Sequence, residues 1–205
     1  MIYQDFRNEF IDQVYIASNQ VYAWYPDFDK NNLRRWVNKK YLVKLRNGFY
    51  AFRELLDIPN INLYLANRIY KPSYVSLHSA LSFYGLIPEA VAHITSVSPM
   101  KTTVFGNDLG SFSFQKIKSK VFTGFVHLPF LRDKEILAAS PEKALLDLLY
   151  LFPFYNTEKE MYDLRLDADI LNETVDSDRM NKLLEGYESK ALDRRSDMLL
   201  KCYKL

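Results

Sequence analysis

Apolar residues recur at helical spacing over Tyr3 to Tyr15, where Phe6, Phe10, Ile11, Val14 and Tyr15 share one face, and this predicts an opening helix. Ser18 or Asn19 caps a second helix carrying Val21, Tyr22, Trp24 and Tyr25, which Pro26 brings to an end. Pro26-Asp27-Phe28 is then a turn with Phe28 plugging the core beneath it. Asp29 caps a third helix reaching about Asn38. Leu33, Trp36 and Val37 form its buried stripe, while Asn31, Arg35 and Asn38 share the opposite face with Asn32 and Arg34 on the flanks. Asn47-Gly48 marks a two-residue hairpin turn, in which both positions take positive φ. That turn pairs Val43 with Phe52 and Leu45 with Tyr50 on one face, leaving Lys44 and Arg46 with Phe49 and Ala51 on the other. Helices leading into a small basic hairpin read as a winged helix-turn-helix.

Beyond this unit the pattern changes. Leu55 to Asn67 is expected to be a connector, partly helical from Ile61. Ser73 is expected to cap a helix with Leu77, Leu81 and Tyr84 on one side and Gly85 at its end. A period of two then predicts strands at His93–Val97, Thr102–Phe105, Ser111–Ile117, Val121–His127 and Ile136–Ala139. Ser140-Pro141-Glu142 starts a helix with Ser at the N-cap, Pro in the first position and an acid in the first turn. Ala144 to Leu151 is apolar nearly all round, which places that helix in a core. One or two amphipathic helices come last, near Ser177–Tyr187 and Lys190–Tyr203. The expected fold class is α+β. A winged helix-turn-helix domain (residues 1–56) and a connector (57–72) lead to a mixed α/β domain (73–205) with a mainly antiparallel sheet and C-terminal helices.

Charge sharpens the reading of the first unit. Asp29 to Arg53 carries eight Lys or Arg against one acid, so its local charge is +7. The whole chain is only +2, which leaves −5 for everything else. A basic block in a slightly acidic body is the footprint of a polyphosphate binder. Arg and Asn are also the side chains that fork onto guanine and adenine edges. The candidate DNA-binding residues are therefore Asn31, Asn32, Arg34, Arg35, Asn38, Lys39, Lys40, Lys44, Arg46 and Asn47. Arg35 is the candidate for base readout, and Lys39, Lys40, Lys44 and Arg46 are candidates for phosphate. Lys116, Lys118 and Lys120 alternate at period two beside Phe112 and Phe114. They read either as a guarded strand or as an auxiliary basic surface.

Little else points to chemistry. Cys202 is the single cysteine, so no disulfide framework or thiol metal cluster can form within one chain. Asp147 sits in an apolar helix, where an i,i+4 partner in Lys143 or a hydrogen bond to a neighbouring backbone group explains it. Asp167/Asp169 and Asp176/Asp178 read as loop and cap residues rather than a two-metal site, and His78, His93 and His127 show no ligand spacing. No catalytic group, metal or cofactor is expected, and the chain is read as a non-enzyme. The opening residues MIYQDFRNEF are charged from the fifth position and lack a signal-peptide core. The apolar runs are too short to span a bilayer, so a soluble cytoplasmic protein is expected.

Three segments in this order carry a resemblance. They are Lys44-Leu45-Arg46-x-Gly48-x-Tyr50, then Tyr74-x-Ser76-Leu77-x-Ser79-Ala80-Leu81-x-x-Tyr84-Gly85-Leu86-Ile87-Pro88-Glu89, then Ala139-x-Pro141-Glu142-Lys143-Ala144-Leu145-x-Asp147. The chain resembles the AbiEi family of antitoxins over roughly residues 1–190. The resemblance implies a bacterial type IV toxin–antitoxin or abortive-infection system. Its N-terminal winged helix would bind repeats in double-stranded promoter DNA, as monomers or as a dimer, and repress its own operon. Its C-terminal domain would counteract a nucleotidyltransferase-like toxin without an obligatory stable complex. A nuclease branch of relatives is disfavoured, because no Asp precedes a Glu-x-Lys strand here. The alternative is a winged-helix regulator outside any toxin system, whose second domain senses a ligand or dimerises.

Overall fold

The computed structural model describes residues 1–89 and 93–204. Its first part is built from α1 (Tyr3–Phe10), β1 (Tyr15–Ala17), α2 (Ser18–Trp24), α3 (Asn31–Asn38), β2 (Leu42–Arg46) and β3 (Phe49–Phe52). The three strands form an antiparallel sheet in the order β1-β3-β2. Phe6, Phe10, Ile16, Val21, Phe28, Leu33, Trp36, Leu42 and Phe52 make one core, in which the Phe6 ring packs 4.6 Å from Trp36. Phe28 is buried there, under the turn that Pro26 opens. The opening helix is shorter than its periodicity predicts. It stops at Phe10, Val14 takes φ 69°, and Tyr15 to Ala17 leave the helix to pair with Phe49 to Ala51. Pairing with a strand distant in the chain overrides a helical spacing that Val14 and Tyr15 favour only weakly.

The hairpin turns at Asn47-Gly48 as expected, with Arg46 opposite Phe49. Of the two turn residues only Gly48 takes positive φ, at 81°, so the turn is not the mirror-image type expected of the pair. Away from the tip the register also differs from the expected one. Leu42 faces Phe52, Val43 faces Ala51 and Lys44 faces Tyr50, with an irregularity between Lys44 and Arg46. The extra residue is Leu45, and such a bulge sends side chains beyond it to the opposite face. Leu42 thereby enters the core of the first part, while Leu45 enters a different core, shared with the later part of the chain.

The stretch expected as a connector partly helical from Ile61 is helical from that residue, and the helix is buried. This is α4 (Ile61–Ile69), with seven of its nine residues buried. The helix expected to start at Ser73 begins later. Tyr74–Val75 form a two-residue strand, β4, and α5 spans Leu77–Phe83, closed by Gly85 at φ 75°. The remaining strands are β5 (His93–Ser98), β6 (Thr103–Asn107), β7 (Gly110–Lys116), β8 (Phe125–Pro129) and β9 (Glu135–Ala139). They join β4 in a six-stranded sheet of order β6-β7-β5-β4-β9-β8, in which three of the five pairings are antiparallel. Helices α6 (Pro141–Leu151), α7 (Glu158–Asp163), α8 (Ala168–Thr174), α9 (Ser177–Glu185) and α10 (Lys190–Tyr203) complete an α+β chain. Among the described residues no helix is long and apolar enough to cross a membrane.

The central strands of the sheet are buried on both faces, whereas the edge strands β6 and β8 are partly exposed. Tyr74, Val97 and Ala139 pack with α5, α6 and the C-terminal helices, whereas Val75, Ile94, Phe112, Phe114 and Ala138 pack with α4 and with Val14, Leu45 and Ala51 of the first part. Side-chain hydrogen bonds lock the layers. Asn67 on α4 donates to the Leu137 carbonyl (3.2 Å) and accepts from the Leu137 N–H (2.8 Å). Ser79 on α5 accepts from the Thr95 N–H (2.8 Å), and Thr95 Oγ1 in turn accepts from the Ser79 N–H (3.0 Å).

Helix α6 starts as its sequence dictates, with the Ser140 hydroxyl accepting from the Lys143 N–H and Pro141 in the first turn. Glu142 to Leu149 are all buried, and these include Lys143 and Asp147. The two form an i,i+4 ion pair sealed from water. Asp147 also accepts from Tyr74 (2.9 Å), Ser76 (2.8 Å) and Tyr187 (2.6 Å), so four donors saturate one carboxylate. The Lys143 ammonium lies 4.7 Å from the centre of the Tyr187 ring. Burial pushes the Lys143 ammonium down from its ordinary range while Asp147 draws it back, and burial beside Asp147 pushes the Tyr74 and Tyr187 hydroxyls up. Gly124 leaves room for the lysine stem: at φ 73°, a Cβ there would sit 3.1 Å from Lys143 Cδ and 2.9 Å from Leu183 Cδ2.

Removing one member of a buried pair strands the other's charge, at a cost of ~3–5 kcal/mol. We therefore expect Asp147→Asn and Lys143→Met each to destabilise the chain by about that amount in urea unfolding. The double variant should lose markedly less than the sum of the two.

Candidate nucleic-acid interface

The geometry of α3 arises from its sequence. Asp29 Oδ1 accepts from the Asn31 N–H at 2.9 Å, and this bond, with Arg35 nearby, holds the Asp29 carboxyl below its ordinary range. The helix then turns Leu33 and Trp36 into the core, and Asn31, Arg34, Arg35 and Asn38 are exposed, as the 3.6 period requires. Asn32 is half-buried and donates to the Met1 carbonyl at 3.4 Å. Arg35 is exposed but engaged, its guanidinium reaching Asp29 Oδ2 (2.9 Å) and Asn32 Oδ1 (3.0 Å). An ion pair this open to solvent is worth little, so a nucleic-acid group can displace it. The helix ends with Lys40 at φ 60°, its N–H bonded to the Val37 carbonyl at 2.9 Å. That left-handed cap directs Lys39 and Lys40 into solvent beside the C-terminal end of the helix.

The hairpin divides its cations. Lys44 and Asn47 are exposed. Arg46, expected at the phosphate surface, is half-buried in a seam. It donates to the Ile69 carbonyl at 3.1 Å and lies 5.3 Å from the centre of the Tyr70 ring and 5.2 Å from that of Phe105. It is therefore a structural clamp rather than a free contact. Asn107 completes the seam, its amide donating to the Leu45 carbonyl at 2.9 Å. Nothing local in the sequence marks Tyr70, Phe105 or Asn107 as partners of the hairpin. Arg53 is likewise engaged, 3.6 Å from Asp108. Of the eight cations in the basic block, Arg35 and Arg53 have a carboxylate within ion-pair distance and Arg46 is held by a carbonyl, whereas Lys30, Arg34, Lys39, Lys40 and Lys44 have no carboxylate that close among the described residues.

The second basic stretch does not form the single-faced ladder its spacing suggests. Strand β7 ends at Lys116; Lys118 precedes a 3-10 turn (Ser119–Val121), and Lys120 in that turn pairs with Glu188. The three lysines are exposed but do not line one strand face, because the chain turns after Ile117, which is buried. The same turn delays the next strand, expected from Val121, until Phe125.

The remaining polar residues have structural partners. Asp167 and Asp176 are N-caps, each accepting two backbone N–H groups at the start of α8 and α9. Glu142 is buried, accepts from the Ser140 hydroxyl (2.6 Å) and receives the Asp176 N–H (3.2 Å). His127 pairs with Glu135 at 2.6 Å, and His78 packs near Phe152, where burial lowers its pKa. Among the described residues, no group of three or more His, Cys, Asp or Glu is placed to hold a metal. The chain matches no model of a known protein family and no curated protein.

Proposed function

We propose that this chain is a DNA-binding antitoxin and autorepressor, whose first part is a winged helix-turn-helix that reads a duplex with α3. The observation that carries the reading is the exposed face of Asn31, Arg34, Arg35 and Asn38, bordered by Lys39, Lys40 and Lys44, which have no ion-pair partner among the described residues. The order α1-β1-α2-α3-β2-β3, with sheet order β1-β3-β2, supports it: α2 and α3 supply the helix-turn-helix and β2-β3 the wing. In this reading Arg35 reaches base edges, and the lysines hold phosphates that orient the unit without specifying sequence.

The second role rests on the resemblance to AbiEi antitoxins. Two of the three resembling segments meet in space: Tyr74 and Ser76 from one bond Asp147 from the other. Their co-occurrence thus has a physical reason, the assembly of one buried network, which supports a shared fold for the antitoxin part. A nucleotidyltransferase-like toxin is the proposed counterpart. A second reading, a regulator with a ligand-sensing second part, is favoured by an open cleft of about 500 Å³ beside Ile58, Asn62, Ser82 and Phe83.

On duplex DNA, four to five phosphate contacts give a slope of log affinity against log salt of about −4. Arg35→Ala should cost ~1–3 kcal/mol on the cognate promoter repeat and little on random duplex, whereas Lys44→Ala should weaken both alike. Arg46→Ala should leave the slope unchanged and lower stability by ~1–2 kcal/mol. Fluorescence anisotropy at several salt concentrations checks the binding terms, and a slope near zero for the unaltered chain defeats the reading. Co-expression of the chain with the product of the adjacent gene, scored by growth, tests the antitoxin half: rescue is expected, and its failure favours the ligand-sensing alternative.

A further inference from the structure

A cleft opens where the first part of the chain joins the second. Leu56 and Ile58, in the segment between β3 and α4, line it and also pack on the core that the two parts share. Ser79, Ser82 and Phe83 of α5 and Ile94 of β5 line it from the second part. Its volume of about 500 Å³ lies in the range of cavities that hold one small molecule.

The chemistry of the walls is narrow. Among the described residues no lysine, arginine, aspartate or glutamate lines the cleft. The Ser82 hydroxyl already donates to the Glu89 carbonyl at 2.9 Å, and Ser79 Oγ takes the Thr95 N–H at 2.8 Å. Asn62, on the first turn of α4, differs. It lines the cleft, and its Oδ1 is sealed from water with no hydrogen-bond partner among the described residues. A buried acceptor without a donor is destabilising and calls for a reason. Four other buried side-chain atoms lack partners, on Arg68, Ser96, Arg195 and Ser196, and none of those residues lines this cleft. An amide carries a donor beside its acceptor, so its complement is a group offering the reverse pair. Phe83 supplies the second element. It is 38% exposed, and Tyr84 packs against its ring at 5.2 Å and 81°. Such a ring is held in place yet still open to stacking by a flat ligand.

We propose that this cleft binds an adenine nucleoside through its base, with the Asn62 amide on the base edge and Phe83 stacked on its face. Adenine presents a donor at N6 beside an acceptor at N7, the pair that an Asn side chain matches bidentately. A 6-oxo purine presents two acceptors there, which sets its oxygen against Asn62 Oδ1. No cation stands on the walls to receive a phosphate, so the ligand is a nucleoside rather than a nucleotide. The inference deepens the ligand-sensing reading and rests on it, and it is independent of what α3 contacts.

The test uses the full chain, with adenosine as the probe and calorimetric titration as the readout. Adenosine should bind at one site per chain, and inosine, its 6-oxo counterpart, roughly tenfold more weakly or worse. Adenosine 5′-monophosphate should bind no more tightly than adenosine. Asn62→Leu should weaken adenosine binding by about tenfold or more. The ligand-free variant should melt no lower than the unaltered chain, because the change removes an unpaired acceptor rather than a contact. Phe83→Leu, at an exposed position, should weaken binding roughly fivefold or more, and it carries the test if Asn62→Leu fails to fold. Absence of adenosine binding, equal binding of inosine, or undiminished affinity in either folded variant overturns the inference. Duplex anisotropy with and without adenosine separates it from the reading beneath. A changed DNA affinity supports a sensing site, whereas adenosine binding without any change leaves the nucleoside site in place and defeats the sensing reading.

Discussion

One ion pair with no access to water constrains the second part of this chain. Lys143 and Asp147 lie on successive turns of α6, and neither charge is tolerable in that position alone. The carboxylate is satisfied only when Tyr74 and Ser76, beside the central strand, and Tyr187, between the last two helices, all present hydroxyls to it. The pair therefore fixes two distant segments relative to one helix. A core made only of leucines would tolerate sliding of α6 along the sheet; a saturated carboxylate does not. Gly124 is tied to the same requirement, since any side chain there would occupy the space of the lysine stem.

The same logic, at lower stakes, joins the first part to the second. Leu45 and Ala51 contribute to a core that also contains Val75, Phe112 and Phe114, so the small sheet is not an independent surface but a lid on the larger one. Arg46 gives up solvation to rest between two aromatic rings and a carbonyl, and in doing so withdraws a cation from the hairpin. The effect on the proposed DNA-binding role is geometric. In that proposed role, a hairpin clamped in this way could not adapt freely to a groove.

The local chemistry of the chain was legible without any tertiary contact. The cap at Ser140-Pro141, the caps at Asp167 and Asp176, the hairpin tip at Asn47-Gly48 and the burial of Leu33 and Trp36 depend on neighbours within about one helical turn, and the fold realises each of them. Asp147 was legible in kind, as a structural residue paired with Lys143, because an i,i+4 partner is written in the sequence itself. Its three hydroxyl partners were not, since they lie 73, 71 and 40 residues away.

The sequence by itself determined the helical faces, the turn residues and the polarity of the exposed surface of α3, because these arise from backbone periodicity and short-range hydrogen bonding. Tertiary structure alone decided that Tyr15 to Ala17 become a strand, that the helix beginning at Ile61 is buried, and that a bulge at Leu45 turns the hairpin toward a second core. It also decided which cations face solvent. Arg46 and Arg34 are the same residue type in the same basic block, yet one is spent on Ile69, 23 residues away, and the other faces water. The physical reason is that a charge's availability depends on what lies within a few ångströms of it, and for Arg46 those neighbours are placed by the pairing of strands that the linear pattern does not specify.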